Sequence, residues 1–172
     1  MAVSPSKEIK MKPEDMIVSK TDNKDRYTYC NDAFMTFSGF SEEEILGQHN
    51  DLIRHADTPE AIFRLMWNKL QQGDEFFGVN KNLCKNGHYY WSYVNVFVNY
   101  DANNQLIGYM STRRCPPPEA IDFFNELYPQ MIEIESQYND SSEGIDASYN
   151  FMNEAISKGG MGYDEYVCSY FK

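Results

Sequence analysis

The apolar run Met16-Ile17-Val18 and the tyrosines alternating with polar residues after Arg26 read as two short strands, Met16–Lys20 and Arg26–Cys30, joined by the turn-forming run Asp22-Asn23-Lys24-Asp25. From Asn31 the spacing lengthens to a helical period, with Phe34, Phe37 and Phe40 on one side and Gly39 closing the helix. Ser41 followed by Glu44 is a capping box, so a second short helix starts there and stops at Gly47. Thr58-Pro59 offers a cap hydroxyl and a proline at the first helical position. Ile62, Phe63, Leu65, Met66 and Leu70 then form the stripe of the longest core helix, ended by Gly73.

Past Gly73 the period falls to two. Asn86-Gly87 between alternating runs signals a hairpin, and pairing Lys85 with His88 across it sets an expected register. That register puts Phe76, Gly78, Asn80, Asn82 and Cys84 on one face with Tyr89, Trp91, Tyr93, Asn95 and Phe97, and by parity with Met110 and Thr112 of a third strand over Gln105–Arg113. Phe77, Val79, Leu83, Val94, Val96 and Val98 share the other face. The amide-bearing face is expected to wall a ligand pocket and the valine face to pack against the helices that follow.

Pro116-Pro117-Pro118 ends the sheet, and Ile121, Phe124, Leu127, Tyr128, Met131 and Ile134 give a helical stripe interrupted or kinked near Pro129. Asn139–Gly144 reads as a loop and Ile145–Lys158 as another helix. The last residues, GMGYDEYVCSYFK, are aromatic enough to dock, either on this domain or on a partner. Residues 1–15, polar with Pro5 and Pro13, read as a loose lead-in. The expected organisation is a lead-in (1–15), one core domain (16–115) and an acidic helical extension (116–172), since 172 residues suffice for one good core and an appendage.

Charge sharpens that division. Residues 1–115 carry 13 Lys/Arg against 15 Asp/Glu, whereas residues 116–172 carry 2 against 11. The acid is in the extension, which argues against nucleic acid or an anionic membrane as partner. Cysteines at 30, 84, 115 and 168 lack the spacing of a zinc ribbon or of covalent haem attachment and suit a reducing compartment. With no apolar leader and no long apolar window, the expectation is a soluble cytoplasmic protein without a membrane span.

Chemistry concentrates between Gln48 and Phe63, where Arg54, His55 and Asp57 meet on one bend before a helix. Such a trio suits a phosphate-bearing or heteroaromatic ligand. Arg54 can clamp a ligand oxygen or pair with Asp57; His55 can tune a ligand or bind backbone; Asp57 can orient either neighbour. Asn82 and Asn95 lie among aromatics and need partners, while Asn31 opens a helix and can serve as its cap. Phe63, Trp67, Trp91 and Met110 read as core residues, some of which would also touch a ring system. No paired catalytic carboxylates, activated nucleophile or metal cluster is visible, so catalysis is not expected.

The segments YTYCNDAF (27–34), SGFSEEEILGQHNDLIRHADTPEAIF (38–63), KNLCKNGHYYW (81–91) and IGYMSTRR (107–114) resemble the flavin-binding PAS domain of bacterial aerotaxis receptors. The resemblance implies an α+β PAS fold: a five-stranded antiparallel sheet with short helices on one face, here with a C-terminal helical extension. It implies a redox sensor that holds FAD noncovalently and signals by a change of shape. The family's pocket pattern falls on Asn31, Arg54, His55, Asp57, Phe63 and Asn82, with Phe76 standing where the family has tryptophan and Trp91 as a further wall residue. Flavin photosensors of this fold carry asparagine-cysteine-arginine where this chain has Gln48-His49-Asn50, so no thiol adduct is expected. The alternatives are a b-type haem gas sensor with a histidine axial ligand, or a ligand-free scaffold that binds a signalling protein or a second copy through the sheet face or the tail.

Overall fold

Five strands form one antiparallel sheet in the order β2-β1-β5-β4-β3, seen in a computed structural model that describes residues 6–171. The strands are β1 (Met16–Asp22), β2 (Tyr27–Cys30), β3 (Phe76–Leu83), β4 (Tyr89–Tyr100) and β5 (Leu106–Arg114). Between β2 and β3 run α1 (Asp32–Ser38), α2 (Glu42–Ile45), a 3₁₀ turn (Asn50–Ile53) and α3 (Glu60–Gln71); after β5 come α4 (Pro118–Ser136), α5 (Ser141–Ser157) and α6 (Tyr163–Ser169). The α+β fold expected from the sequence is the one observed.

Local signals act where they stand. The Ser41 hydroxyl accepts from the Glu44 amide while the Glu44 carboxylate accepts from the Ser41 amide, and Gly39 ends α1 in the left-handed region at φ 75°.

The hairpin register differs from the expected one by one residue. Cys84, not Lys85, pairs with His88, its amide donating to the His88 carbonyl at 2.8 Å, and Phe76 faces Val96. The turn therefore has three residues, Lys85-Asn86-Gly87, with Gly87 at φ 81°, so the Asn-Gly pair occupies the last two positions of a bulged turn and not a two-residue turn. The slip exchanges the β4 side chains between faces. Asn80 and Asn82 now share the helix-covered face with Ser92, Val94 and Val96, and with Ser111 and Arg113 of β5. Trp91, Tyr93, Asn95, Phe97, Met110 and Thr112 lie on the opposite face. The assignment to the C-terminal helices is thereby overturned for the β4 valines and kept for Val79 of β3; the aromatic side of β4 meets those helices instead, with Trp91 packed on Tyr128 and Tyr93 on Phe171.

The C-terminal helices pack along the edge strand β3 and against α3. The Tyr128 hydroxyl donates to the Val79 carbonyl at 2.7 Å, covering a backbone acceptor that an edge strand would otherwise expose. Tyr163 of α6 stacks on Phe76, so the aromatic tail docks on this domain. Helix α4 is continuous through Pro129: the proline is on the exposed side, where the carbonyl it leaves unpaired meets water. Helix α5 begins at Ser141 with Asp140 as its cap, inside the segment expected to be a loop. Gly144 belongs to that helix and lets it approach α4, since a Cβ there would sit 2.8 Å from the Glu135 carbonyl.

The lead-in is not loose throughout. The Ile9 amide donates to the Tyr89 carbonyl and the Tyr89 amide to the Lys7 carbonyl, extending the sheet beside the first residue of β4.

Gly108 of β5 has no room for a side chain. Its φ is 150° and a Cβ would lie 1.9 Å from the Thr21 carbonyl oxygen across the β1–β5 ladder. Gly108→Ala should therefore lower stability by about 1–3 kcal/mol, the range of severe single substitutions, measured as a lower urea midpoint with unchanged slope. An unchanged midpoint would mean that β5 shifts at no cost.

Candidate functional site

The cavity under the sheet is enclosed by the helix-covered face of β3, β4 and β5, by the 3₁₀ turn and by α3. It has a volume of about 70 Å³, and its wall includes Asp25, His49, Arg54, Phe63, Trp67, Asn80, Asn82, Val94, Val96, Ser111 and Arg113. The residues arrive there for local reasons. Arg54 ends the 3₁₀ turn and pairs its backbone with Asn82 of β3, which pins the bend to the edge strand. Helix α3 presents Phe63, Met66 and Trp67 at helical spacing toward the same space. Its start is capped from a distance: the Glu135 carboxylate of α4 accepts from the amides of Glu60 and Ala61, both at 3.0 Å. Thr58, the expected cap, turns instead to the Lys81 carbonyl at 3.3 Å.

The Arg54 guanidinium sits over the Phe63 ring, 3.8 Å from its centroid, and pairs with Glu60. Asp57 is not its partner but binds Lys81. Burial pulls the Asp57 carboxyl upward, and the Lys81 ammonium outweighs it, holding the group below the ordinary range. His55 takes the Asp57 amide on Nδ1 at 3.1 Å and sets its ring edge-on to Tyr89; burial lowers its pKa. Asn82 is buried and donates to the Ser92 hydroxyl at 2.9 Å. The structure thus brings Arg54, Phe63 and Asn82 together on the cavity and leaves His55 and Asp57 beside it.

Three expected wall residues lie elsewhere. Asn31 caps α1 through Oδ1, which also accepts from the Val18 amide at 3.0 Å, and its amide nitrogen donates to the Met16 carbonyl at 2.9 Å, so it staples α1 to β1. Phe76 is fully buried against Tyr163 of α6. Trp91 is on the opposite face against Tyr128, a result of the register slip.

Sequence reasoning missed Arg113. It is 5 % exposed, donates to the Ser19 hydroxyl at 3.1 Å and has no carboxylate within ion-pair distance among the described residues. Its parity on β5 was correctly distinct from that of Met110; only the slipped register hid that this parity faces the cavity. Asn80 was placed on the right face, but its need was not visible: its buried Oδ1 finds no hydrogen-bond partner among the described residues.

Asp25 is the other unforeseen member. Although in a turn, it is 8 % exposed, with φ 57°, a left-handed conformation that aspartate and asparagine tolerate better than most residues. Burial raises its pKa to about 6, against smaller lowering by Thr21 and His49. The sign follows: with the folded pKa above the unfolded value, this group favours the fold at low pH, and the contribution is lost as pH rises through about 6. Asp25→Asn should then raise stability at pH 7 by about 2 kcal/mol and flatten the stability–pH curve between about 4 and 6, read from urea unfolding at a series of pH values. Equal stability of variant and wild type at pH 7 would refute it.

The groups on this wall fit a flavin ring chemically: amides for its polar edge, two guanidinium groups for its oxygens, and Trp67 and Phe63 for its faces. The volume admits a ring only if Arg54 and Phe63 swing outward, since ligand pockets run to about 300 Å³ or more. Both are part-exposed, and the ion pair that this motion gives up is with exposed Glu60.

Comparison with known proteins agrees with this architecture. The family model described as PAS fold matches residues 27–113. The aerotaxis receptor of Escherichia coli (strain K12) is 37% identical over 112 residues, which cover 65% of this chain and 22% of the receptor. A nitrogen fixation regulatory protein of Klebsiella pneumoniae is 28% identical over 97 residues, covering 56% of this chain and 20% of that protein. The chain thus spans about a fifth of the length of these relatives. Among solved structures, the dark structure of the blue-light photoreceptor Aureochrome1 LOV superposes with a TM-score of 0.57 at 16% identity, over 70% of this chain and 86% of that one. The PAS domain of a Colwellia psychrerythraea protein gives 0.53 at 24% identity, over 58% and 85%. On the family match and the observed sheet order and helices, this chain belongs to the PAS fold family.

Proposed function

We propose that this PAS domain is a non-enzymatic cytoplasmic sensor that holds FAD noncovalently in the cavity beneath β3–β5 and reports redox or oxygen state through its C-terminal helices. The observation that carries this reading is Arg113, a buried guanidinium on the cavity wall with no carboxylate within ion-pair distance among the described residues. Such a charge is costly unless a ligand supplies the partner. The similarity to an aerotaxis receptor supports the same reading. A bound flavin would supply an electron-accepting ring; the protein's part is to grip it through Arg54, Asn82 and Arg113 and to shield it with Trp67 and Phe63.

The division into lead-in (1–15), PAS core (16–115) and extension (116–172) is part of the proposal. Helix α3 connects core to extension through three acids, one from each C-terminal helix: Glu135 on its first amides, Asp146 on Arg64 and Asp164 on Lys69. The outward swing of Phe63 that admits the ring acts on α3, and through these contacts on α4, α5 and α6 together. A signalling protein or a second copy reading that movement is the proposed partner. No helix among the described residues is long and apolar enough to cross a membrane.

Haem fits less well, because His55 lies off the cavity wall with its ring turned to Tyr89, and His49 on the wall has its two ring nitrogens toward the Asp51 and Asp25 carboxylates. A ligand-free scaffold is the second reading, favoured by the small volume of the closed cavity. The visible spectrum of the purified protein, before and after incubation with FAD, separates the three. Flavin bands, with Arg54→Ala and Asn82→Ala each losing cofactor about tenfold while their circular dichroism is unchanged, are the expected result. A Soret band, a colourless protein, or full occupancy in both variants would overturn the assignment.

A further inference from the structure

Asp25 is a titratable group on the cavity wall that ligand grip does not use. Two contacts fix it there. The Asn50 amide donates to the Asp25 carbonyl at 2.9 Å, and Arg26 forms a backbone bridge with His49, so the β1–β2 turn is stapled to the start of the 3₁₀ turn. Its backbone is left-handed at φ 57° and its side chain is largely buried. Its outward neighbour is His49, whose Nε2 is 4.0 Å from the Asp25 carboxylate and whose side chain is 49% exposed. A carboxyl facing the cavity, then an imidazole facing water, makes a two-step path for a proton.

The groups around it come from every neighbouring element. Thr21 of β1 stands beside it, its buried hydroxyl favouring the carboxylate form. Tyr27 of β2 and Tyr109 of β5 are near enough to feel its charge. Asn50, Asp51 and His49 face it from the 3₁₀ turn, and Arg54 and Arg113 share the cavity.

We infer that Asp25 is the proton-exchanging group of the sensor cavity, taking up one proton from solvent through His49 when the cavity gains negative charge. The inference rests on the flavin reading. One electron delivered by an external reductant, such as a reduced quinol or dithionite, places one negative charge in the cavity. The Asp25 carboxylate then binds one proton, which His49 passes inward and regains from water, so charge balances and no covalent bond to carbon changes. Burial holds Asp25 at about 6 before reduction, so near neutral pH it is largely ionised and free to accept. The nearby negative charge then favours its protonated form.

The test uses the full chain in two arms. In the flavin-loaded protein, midpoint potential is measured against pH for the wild type and Asp25→Asn, a substitution that keeps the left-handed turn. Above pH 6 the wild type should take up one more proton per electron than the variant, a tenfold larger change in the redox equilibrium per pH unit, or about 59 mV. Below that pH the two slopes should merge. In the cofactor-free protein, carbon NMR of the Asp25 carboxyl should show a midpoint near 6. Equal slopes, or titration in the ordinary aspartate range, overturns the inference. A chain that takes up no flavin overturns the reading of the cavity and the redox role with it; the NMR arm then decides separately whether Asp25 exchanges protons near neutrality.

Discussion

A chain ending at residue 116 is expected to aggregate or unfold under conditions in which the full chain does not. The extension contributes Phe124, Tyr128, Met131, Met152, Ile156, Tyr163 and Val167 to one core cluster with Phe76, Val79 and Trp91, all of them buried. Each large apolar side chain withdrawn from water is worth about 1.5–3 kcal/mol, so seven amount to about 10–21 kcal/mol, as large as the roughly 5–15 kcal/mol by which a typical domain is stable. The aromatic side of β4 and the open carbonyls of β3 would then meet water as an unprotected edge, the arrangement most prone to pairing between chains. Size-exclusion chromatography and urea unfolding of the truncated and full chains decide it. A truncated protein that elutes as a monomer with the same urea midpoint would show that the extension contributes nothing to the core.

Arg113→Met is expected to move stability and cofactor binding in opposite directions. Methionine matches the length of the side chain and suits its buried surroundings, and it removes a cation whose observed protein partner is the Ser19 hydroxyl. The cofactor-free protein should gain about 1–3 kcal/mol. Binding of FAD should weaken about 10- to 100-fold, the value of a charge-assisted hydrogen bond. Thermal unfolding without cofactor and fluorescence titration with FAD measure the two halves. A destabilised variant that binds FAD normally would make Arg113 a structural residue.

What could be read from the chain depended on how far each determinant reaches. The caps at Asn31 and Ser41 and the stop at Gly39 involve groups within a few positions of one another, and they act as their residue types require. The hairpin was recognised from Asn86-Gly87, but two- and three-residue turns share that dipeptide, and the choice between them reassigns every side chain on β4. Trp91 and Arg113 changed significance through that single residue. Helix α3 shows the other limit: Thr58-Pro59 places its start one residue early, since Pro59 is the cap and Glu60 the first helical residue, and its free amides are met by Glu135, which no local pattern could indicate. Asn31 is the helix cap that its residue type suggests, and its side chain is spent on α1 and β1, away from the cavity wall.

The borrowed cap on α3 also orders events during translation. Glu60 leaves the ribosome 75 residues ahead of the carboxylate that its amide will need. At about 5–20 residues per second, the first turn of α3 is left to fray for several seconds, together with the bend bearing Arg54. A nascent chain thus holds the first turn of α3 unsecured until α4 emerges, so that an element made early is completed by a carboxylate made late.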